Sequence, residues 1–264
     1  MTTTEALPRG LFAPDPGPAP WHRMLLAQTR IELKLTLRHG EQLLLNLVIP
    51  VLLTVALVTQ PFLDLETTSG LSKVDFLVPG ILALAVMSAA FTGLAIATGF
   101  ERRYGVLKRL GATPLPRWGL IGGKTLAVAA LEVIQIAVIS GVGVALGWRP
   151  HGNPLSVVLL VACGTAAFAG LGLLMAGTLR AEATLAAANL VWFVLLFAGG
   201  IVFPLTSLPD GVAGVLEYLP SAALADGLRA VLGEGGAPPL QAVLTLLAWA
   251  VVSLGAAAKW FRWE

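Results

Sequence analysis

Three groups of residues in this 264-residue chain have types and spacings that bear on chemistry. Gly123-Lys124-Thr125 has the ending of a phosphate-binding loop, in which backbone N–H groups and a lysine cradle phosphates. The full motif needs a second glycine at position 118, which is Trp118, and a strand leading into it, which the sequence lacks. Nucleotide binding is therefore not expected, and Lys124 is expected to snorkel along its alkyl stem to lipid headgroups. The second group is Glu132 with Gln135 one turn away, in the middle of an apolar run. A charged carboxylate at the centre of a bilayer costs roughly 2.5–3.5 kcal/mol on insertion scales. Such a residue faces the interior of a helix bundle, as a substrate or proton contact or as an interhelical hydrogen bond. The third group is the polar stretch 101–118, where Arg102, Arg103, Lys108 and Arg109 make a basic surface. Leu107 and Leu110 stand three apart on one helical face, and Pro114 and Pro116 stop a helix sharply. A short rigid amphipathic element of this kind can dock into a groove on a partner; the same charges also fit a plain topological anchor.

No hydrolytic or metal-binding set accompanies these groups. His22, His39 and His151 are the only histidines and lie in segments that cannot all meet, and Cys163 is a lone cysteine within an apolar run. Every aspartate falls outside the apolar cores, which excludes a paired-aspartate intramembrane protease.

The elements that must position these residues are set by hydropathy. Hydrophobic residues make up 56% of the chain and charged ones 12%, about half the share of an ordinary soluble domain. Apolar runs occur near 43–60, 76–100, 119–146, 155–179, 185–205 and 239–258. Most approach the roughly 20 residues that cross a hydrocarbon layer about 30 Å thick. Runs this long, apolar on all faces, are helices rather than barrel strands. The fold class is therefore an all-α integral membrane protein with six transmembrane helices.

With six spans the two tails and the second and fourth loops share one side. Of 17 Lys and Arg residues, only Lys73, Arg149 and Arg229 fall on the other side. Positive charge in short loops stays cytoplasmic, so both termini are expected inside. Residues 1–22, with five prolines and no signal-peptide core, read as a disordered cytoplasmic tail preceding a membrane domain over 23–264. Before the first span, Arg30, Lys34 and Arg38 recur every four residues, a basic stripe suited to anionic headgroups, although Ile31 to Arg38 also alternates like a strand. The expectation is a cytoplasmic N-terminal interfacial helix. On the outside, segment 207–238 is too polar for a seventh span. It is expected to form two short helices dipping toward the membrane, joined at Leu219-Pro220-Ser221, before the last span. Glycines recur in the third to fifth spans as packing surfaces, and Gly199-Gly200 is expected to break the fifth near its outer end.

The stretch from Glu101 to Lys124 resembles the permeases of ABC-2-type exporters. The family pattern is met by Glu101, Arg102, Gly105, Leu107, Leu110, Thr113, Pro114, Leu115, Trp118 and Lys124. A second match, Pro220 with Asp226 and Arg229, resembles the family's segment before the last span. The resemblance covers nearly the whole chain. It implies that 101–118 is a coupling helix held by a cytoplasmic ATPase subunit, with Glu101 as the acidic residue at its start. Glu101 is expected to pair with Arg102 or Arg103, or to cap a helix. It further implies two ATPase subunits carrying ATP and Mg, a second permease chain, and export of an amphipathic or lipid-like substrate. No cofactor or catalytic site is expected in this chain, and no nucleic acid as partner. The Ala-, Gly- and Arg-rich composition points to a bacterial inner membrane. The competing function is an ion-gradient transporter or channel, for which Glu132 would be the only intramembrane charge.

Overall fold

The structure, a computed structural model, describes residues 19–60, 71–202 and 209–262. Eleven helices follow one another among these residues: α1 (Trp21–Arg38), α2 (Gly40–Thr59), α3 (Lys73–Met87), α4 (Leu94–Arg103), α5 (Val106–Gly111), α6 (Arg117–Ala145), α7 (Pro154–Thr178), α8 (Ala181–Ala198), α9 (Asp210–Leu216), α10 (Pro220–Leu232) and α11 (Leu240–Trp260). A π-helical stretch, Ser88–Gly93, joins α3 to α4 without a break, so Lys73–Arg103 is one helix of 31 residues. Five helices are long and apolar enough to cross a membrane: Lys73–Arg103, α6, α7, α8 and α11. The remaining expected span, 43–60, lies in α2, whose apolar part, Asn46–Thr59, is shorter.

Local signals place the boundaries. Ser72 accepts a hydrogen bond from the Asp75 N–H at the start of α3, and Asn153 caps α7 ahead of Pro154. α8 stops at Ala198, short of the expected 205. Gly199 closes it and Gly200 takes a φ of 63° that only glycine adopts at low cost. Pro220 opens α10 at its first turn, so the break expected at Leu219-Pro220-Ser221 separates α9 from α10. The stretch Ile31–Arg38 is helical despite its alternation. The expected tail 1–22 lies outside the described residues up to 18, and its last two residues, Trp21 and His22, already belong to α1. Of segment 207–238, residues 207 and 208 lie outside the described residues.

The core sits around α3, where Phe76 to Met87 are all buried, and around α7 and α10. Small residues permit the approaches. A Cβ on Gly170 would collide with Ser253 of α11, and one on Gly172 would stand 2.7 Å from the carbonyl oxygen of Phe91 in the π stretch. Without a hydrophobic drive between helices in lipid, such close backbone packing is what holds spans together. Ser253 adds a hydrogen bond to the Ala167 carbonyl at 3.0 Å. α6, α8 and α11 keep apolar outer faces, among them Val133, Leu190, Phe193, Val251 and Val252.

The bundle has two chemically distinct ends. One gathers α1, the α4–α6 connection, the α7–α8 turn and the end of α11, where the Arg262 N–H donates to the Gly177 carbonyl at 3.2 Å. The other gathers Lys73, bonded to the Gln60 carbonyl, and His151, whose N–H donates to Leu232 at 3.0 Å, together with α9 and α10.

Candidate functional site

The loop end of the bundle is organised around Lys124. This lysine, in the second turn of α6, is 1% exposed and does not reach headgroups. Its ammonium lies 2.9 Å from one carboxylate oxygen of Glu32 on α1 and 2.7 Å from Glu101 on α4. Gln28, one turn before Glu32, donates to the same carboxylate at 2.7 Å. The expected pairing of Glu101 with Arg102 or Arg103 is therefore replaced by a longer-range one. A buried ammonium is held only where carboxylates compensate its lost hydration, and two do so here.

Packing brings these groups together. α1 lies against the beginning of α6, where Gly123 leaves room for Gln28: a Cβ there would be 2.6 Å from the Gln28 Cγ. Trp21 and Trp118 meet beside this contact with ring centroids 6.2 Å apart. The same geometry turns Arg30, Lys34 and Arg38 outward on the opposite face of α1, all exposed. α1 is thus docked on a span through a polar seam and presents its basic stripe away from it.

Beyond Glu101 the two arginines are engaged within the chain. Arg102 donates to the Leu179 carbonyl, and Arg103 pairs with Glu182 at the start of α8. Gly105 then reverses the chain with a φ of 71°. No atom would crowd a Cβ there, so the backbone angle, not space, calls for glycine. α5 follows and ends at Gly111, before Pro114. Thr113 stops it, its hydroxyl donating to the Leu110 carbonyl at 2.6 Å. Leu107 is fully buried and Leu110 half-buried, so the apolar face of α5 points into the spans. Tyr104, Val106, Lys108, Arg109, Thr113 and Pro114 make the exposed face. A partner at this surface would meet a mixed basic and aromatic patch rather than the leucine pair.

Deeper in the bundle, Glu132 is fully buried and accepts a hydrogen bond from the Thr165 hydroxyl on α7. Gln135 donates to the Asn46 carbonyl of α2 at 2.9 Å. The two polar side chains thus bind α6 to α7 and to α2. At the opposite end Arg229 of α10 is 5% exposed. It donates to the carbonyls of Ile201 at 2.7 Å and Phe76 at 3.3 Å, pairs with Asp226 at 2.9 Å, and lies 3.7 Å over the Phe76 ring. Pro220, Asp226 and Arg229 therefore sit on one buried helix that closes this end.

Glu32 and Gln28 escaped the sequence reading, which followed the basic stripe. The available signal was a lone acid on the face of α1 opposite Arg30, at a depth matching the lysine that opens α6.

Residues 41–259 match the family described as ABC-2 family transporter protein. The chain is 24% identical over 173 residues to the transport permease YvfS of Bacillus subtilis (strain 168), covering 62% of this chain and 68% of that one. It is 28% identical over 182 residues to the linearmycin resistance permease protein LnrN of the same organism, covering 68% and 46%. To ABC transporter G family member 20 of Dictyostelium discoideum it is 27% identical over 165 residues, covering 61% and 22%. The matched stretch thus spans less than half the length of the last two relatives. All three carry the transport role in their names. With the family match running across the π-broken helix, Glu101 and Lys124, and the Arg229 helix, the chain belongs to the ABC-2 family and is a membrane-spanning permease subunit of an ABC transporter.

Proposed function

We propose that this permease works as an exporter driven by two cytoplasmic ATPase subunits, which bind ATP and Mg, acting on a pair of permease chains. In this reading α2 completes a set of six spans. Both termini and the Lys124 junction are cytoplasmic, and the complex lies in a bacterial inner membrane. The observation that carries the reading is the junction itself. Lys124 locks α1, α4 and α6 together at the end of α4 that leads into α5, and Arg102 and Arg103 extend the lock to the α7–α8 turn. A push on the exposed face of α5 would therefore pass through α4 to α1, α6 and the α7–α8 turn rather than be absorbed by a loose loop.

Export of an amphipathic or lipid-like compound is supported by the apolar character of the bundle. It is also supported by the name of LnrN, since resistance to a compound follows from moving it out. Glu132, bonded across to Thr165, fits a packing role better than ion coupling.

The test is co-purification from the native membrane in mild detergent, comparing wild type with Arg109→Glu. Arg109 lies on the exposed face of α5 and has no ion-pair partner among the described residues. An ATPase retained by wild type and reduced about tenfold in the variant is the expected result. Folded, monodisperse wild type that retains no ATPase would sink the reading.

A further inference from the structure

A second site lies on the far side of α4 from Lys124. There a small pocket of about 240 Å³ is lined by Gly99, Arg102, Arg103, Arg180, Ala181 and Glu182. Arg102 donates to the Leu179 carbonyl and Arg103 pairs with Glu182, but a guanidinium carries five N–H donors, so each keeps others to offer. Arg180, exposed at the cap position of α8, has no ion-pair or hydrogen-bond partner for its side chain among the described residues. Arg262 arrives at the same corner, its backbone bonded to Gly177 at 3.2 Å. Three guanidiniums, Arg102, Arg103 and Arg180, thus line the pocket, with one carboxylate, Glu182, among its described lining residues. The first N–H groups of α8, an 18-residue helix, face the same corner and add the positive end of its dipole.

Such a concentration of like charge is offset by an anion. Phosphate fits best, because its oxygens accept paired N–H groups from planar guanidiniums. The position of the pocket names the source. The spans Lys73–Arg103, Pro154–Thr178, Ala181–Ala198 and Leu240–Trp260 all start or end beside it, which sets it at the depth of lipid headgroups. Leu185 and Trp260 stand exposed on the flanking helices, apolar surface next to the basic corner. Basic pockets between spans at that depth bind anionic headgroups. We propose that this corner is a specific site for the phosphate of an anionic phospholipid, which bridges α4 to the α7–α8 turn and the C-terminal end of α11. This assignment is independent of the exporter reading.

The test uses the purified full chain in phosphatidylcholine vesicles with and without phosphatidylglycerol. Retained lipid is counted by native mass spectrometry after extraction. Wild type should retain phosphatidylglycerol over phosphatidylcholine. Arg180→Gln should reduce the preference about fivefold, and Arg102→Gln with Arg180→Gln should abolish it. Because the Arg180 side chain has no partner among the described residues, its variant tests the site without loss of fold, and Arg149→Gln, exposed in the α6–α7 connection at the opposite end, should change nothing. Equal retention of the two lipids by wild type would overturn the proposal. A preference surviving in both variants would do the same, since it would reflect diffuse positive charge. Full competition by inorganic phosphate would make this a site for a soluble phosphate and overturn the lipid assignment. Lipid-independent rescue of the corner by a co-purifying protein would assign it to a docking partner and likewise overturn it.

Discussion

At the scale of single residues, the decisive feature is a cation held by two carboxylates where neither water nor headgroups reach it. Lys124→Met leaves Glu32 and Glu101 without the cation between them, Glu32 keeping only its bond from Gln28. Removing one partner of such a group costs about 3 kcal/mol, which corresponds to a drop in melting temperature on the order of 10 °C. The same substitution combined with Glu32→Gln and Glu101→Gln removes the unpaired charge and should recover most of the loss. Thermal unfolding in detergent, followed by intrinsic fluorescence from Trp21 and Trp118 at the junction, reads both outcomes. Equal instability of the single and triple variants would show that packing, not charge, holds the junction. These partners were hard to read in advance. Lys124 and Glu32 stand 92 positions apart, and Arg229 and Phe76 153 apart. Local spacing reports which residues share a helix face, but not which faces meet. Pro114 and Pro220 were legible because what they do, a stop and a break, is completed within one turn of chain.

At the scale of helices, the glycines divide into those that make contacts and those that do not. Gly172 meets the backbone of the π stretch, which cannot give way, so Gly172→Ala should cost about 1–3 kcal/mol through overpacking. Gly141 on α6 has no atom within 4 Å of a Cβ, and Gly141→Ala should stabilise by roughly 0.5–1 kcal/mol through the unfolded chain. Opposite shifts in the same thermal assay are the expected result, and shifts of one sign would contradict the packing. Both glycines sit in equally apolar stretches, so hydropathy gave them equal standing. Helix lengths and breaks were legible because the bilayer and the prolines dictate them. Which of α7's faces receives α11 was not, because α7 is apolar on every side.

For the whole molecule, the distribution of charge and the two ends of the bundle make one topological statement that labelling can test. The described chain has a single cysteine, Cys163, and it is buried, so it contributes little background. Cysteine placed at Arg109, exposed on α5, should react with a membrane-impermeant maleimide only after the cells are opened. Cysteine at His151, exposed in the α6–α7 connection, should react in intact cells. Labelling of both from one side would mean an even number of spans between them, and labelling of both in intact cells would remove α5 from the reach of a cytoplasmic ATPase. The family pattern was readable across 101–124 because it is one uninterrupted stretch, whereas the assembly that completes the transporter leaves no comparable mark in a single chain.

The π stretch at Ser88–Gly93 bears on how this span tolerates change. An α-helix given one surplus residue swings everything after it by about 100° about the axis, whereas a π turn takes up the surplus and keeps the later residues in phase. After it, in the regular turns of α4, Glu101 points at Lys124 and Gly99, two residues earlier, at Thr184 of α8. The Lys73–Arg103 helix behaves like a vernier. Its two halves hold separate rotational phases, each matched to its own neighbours.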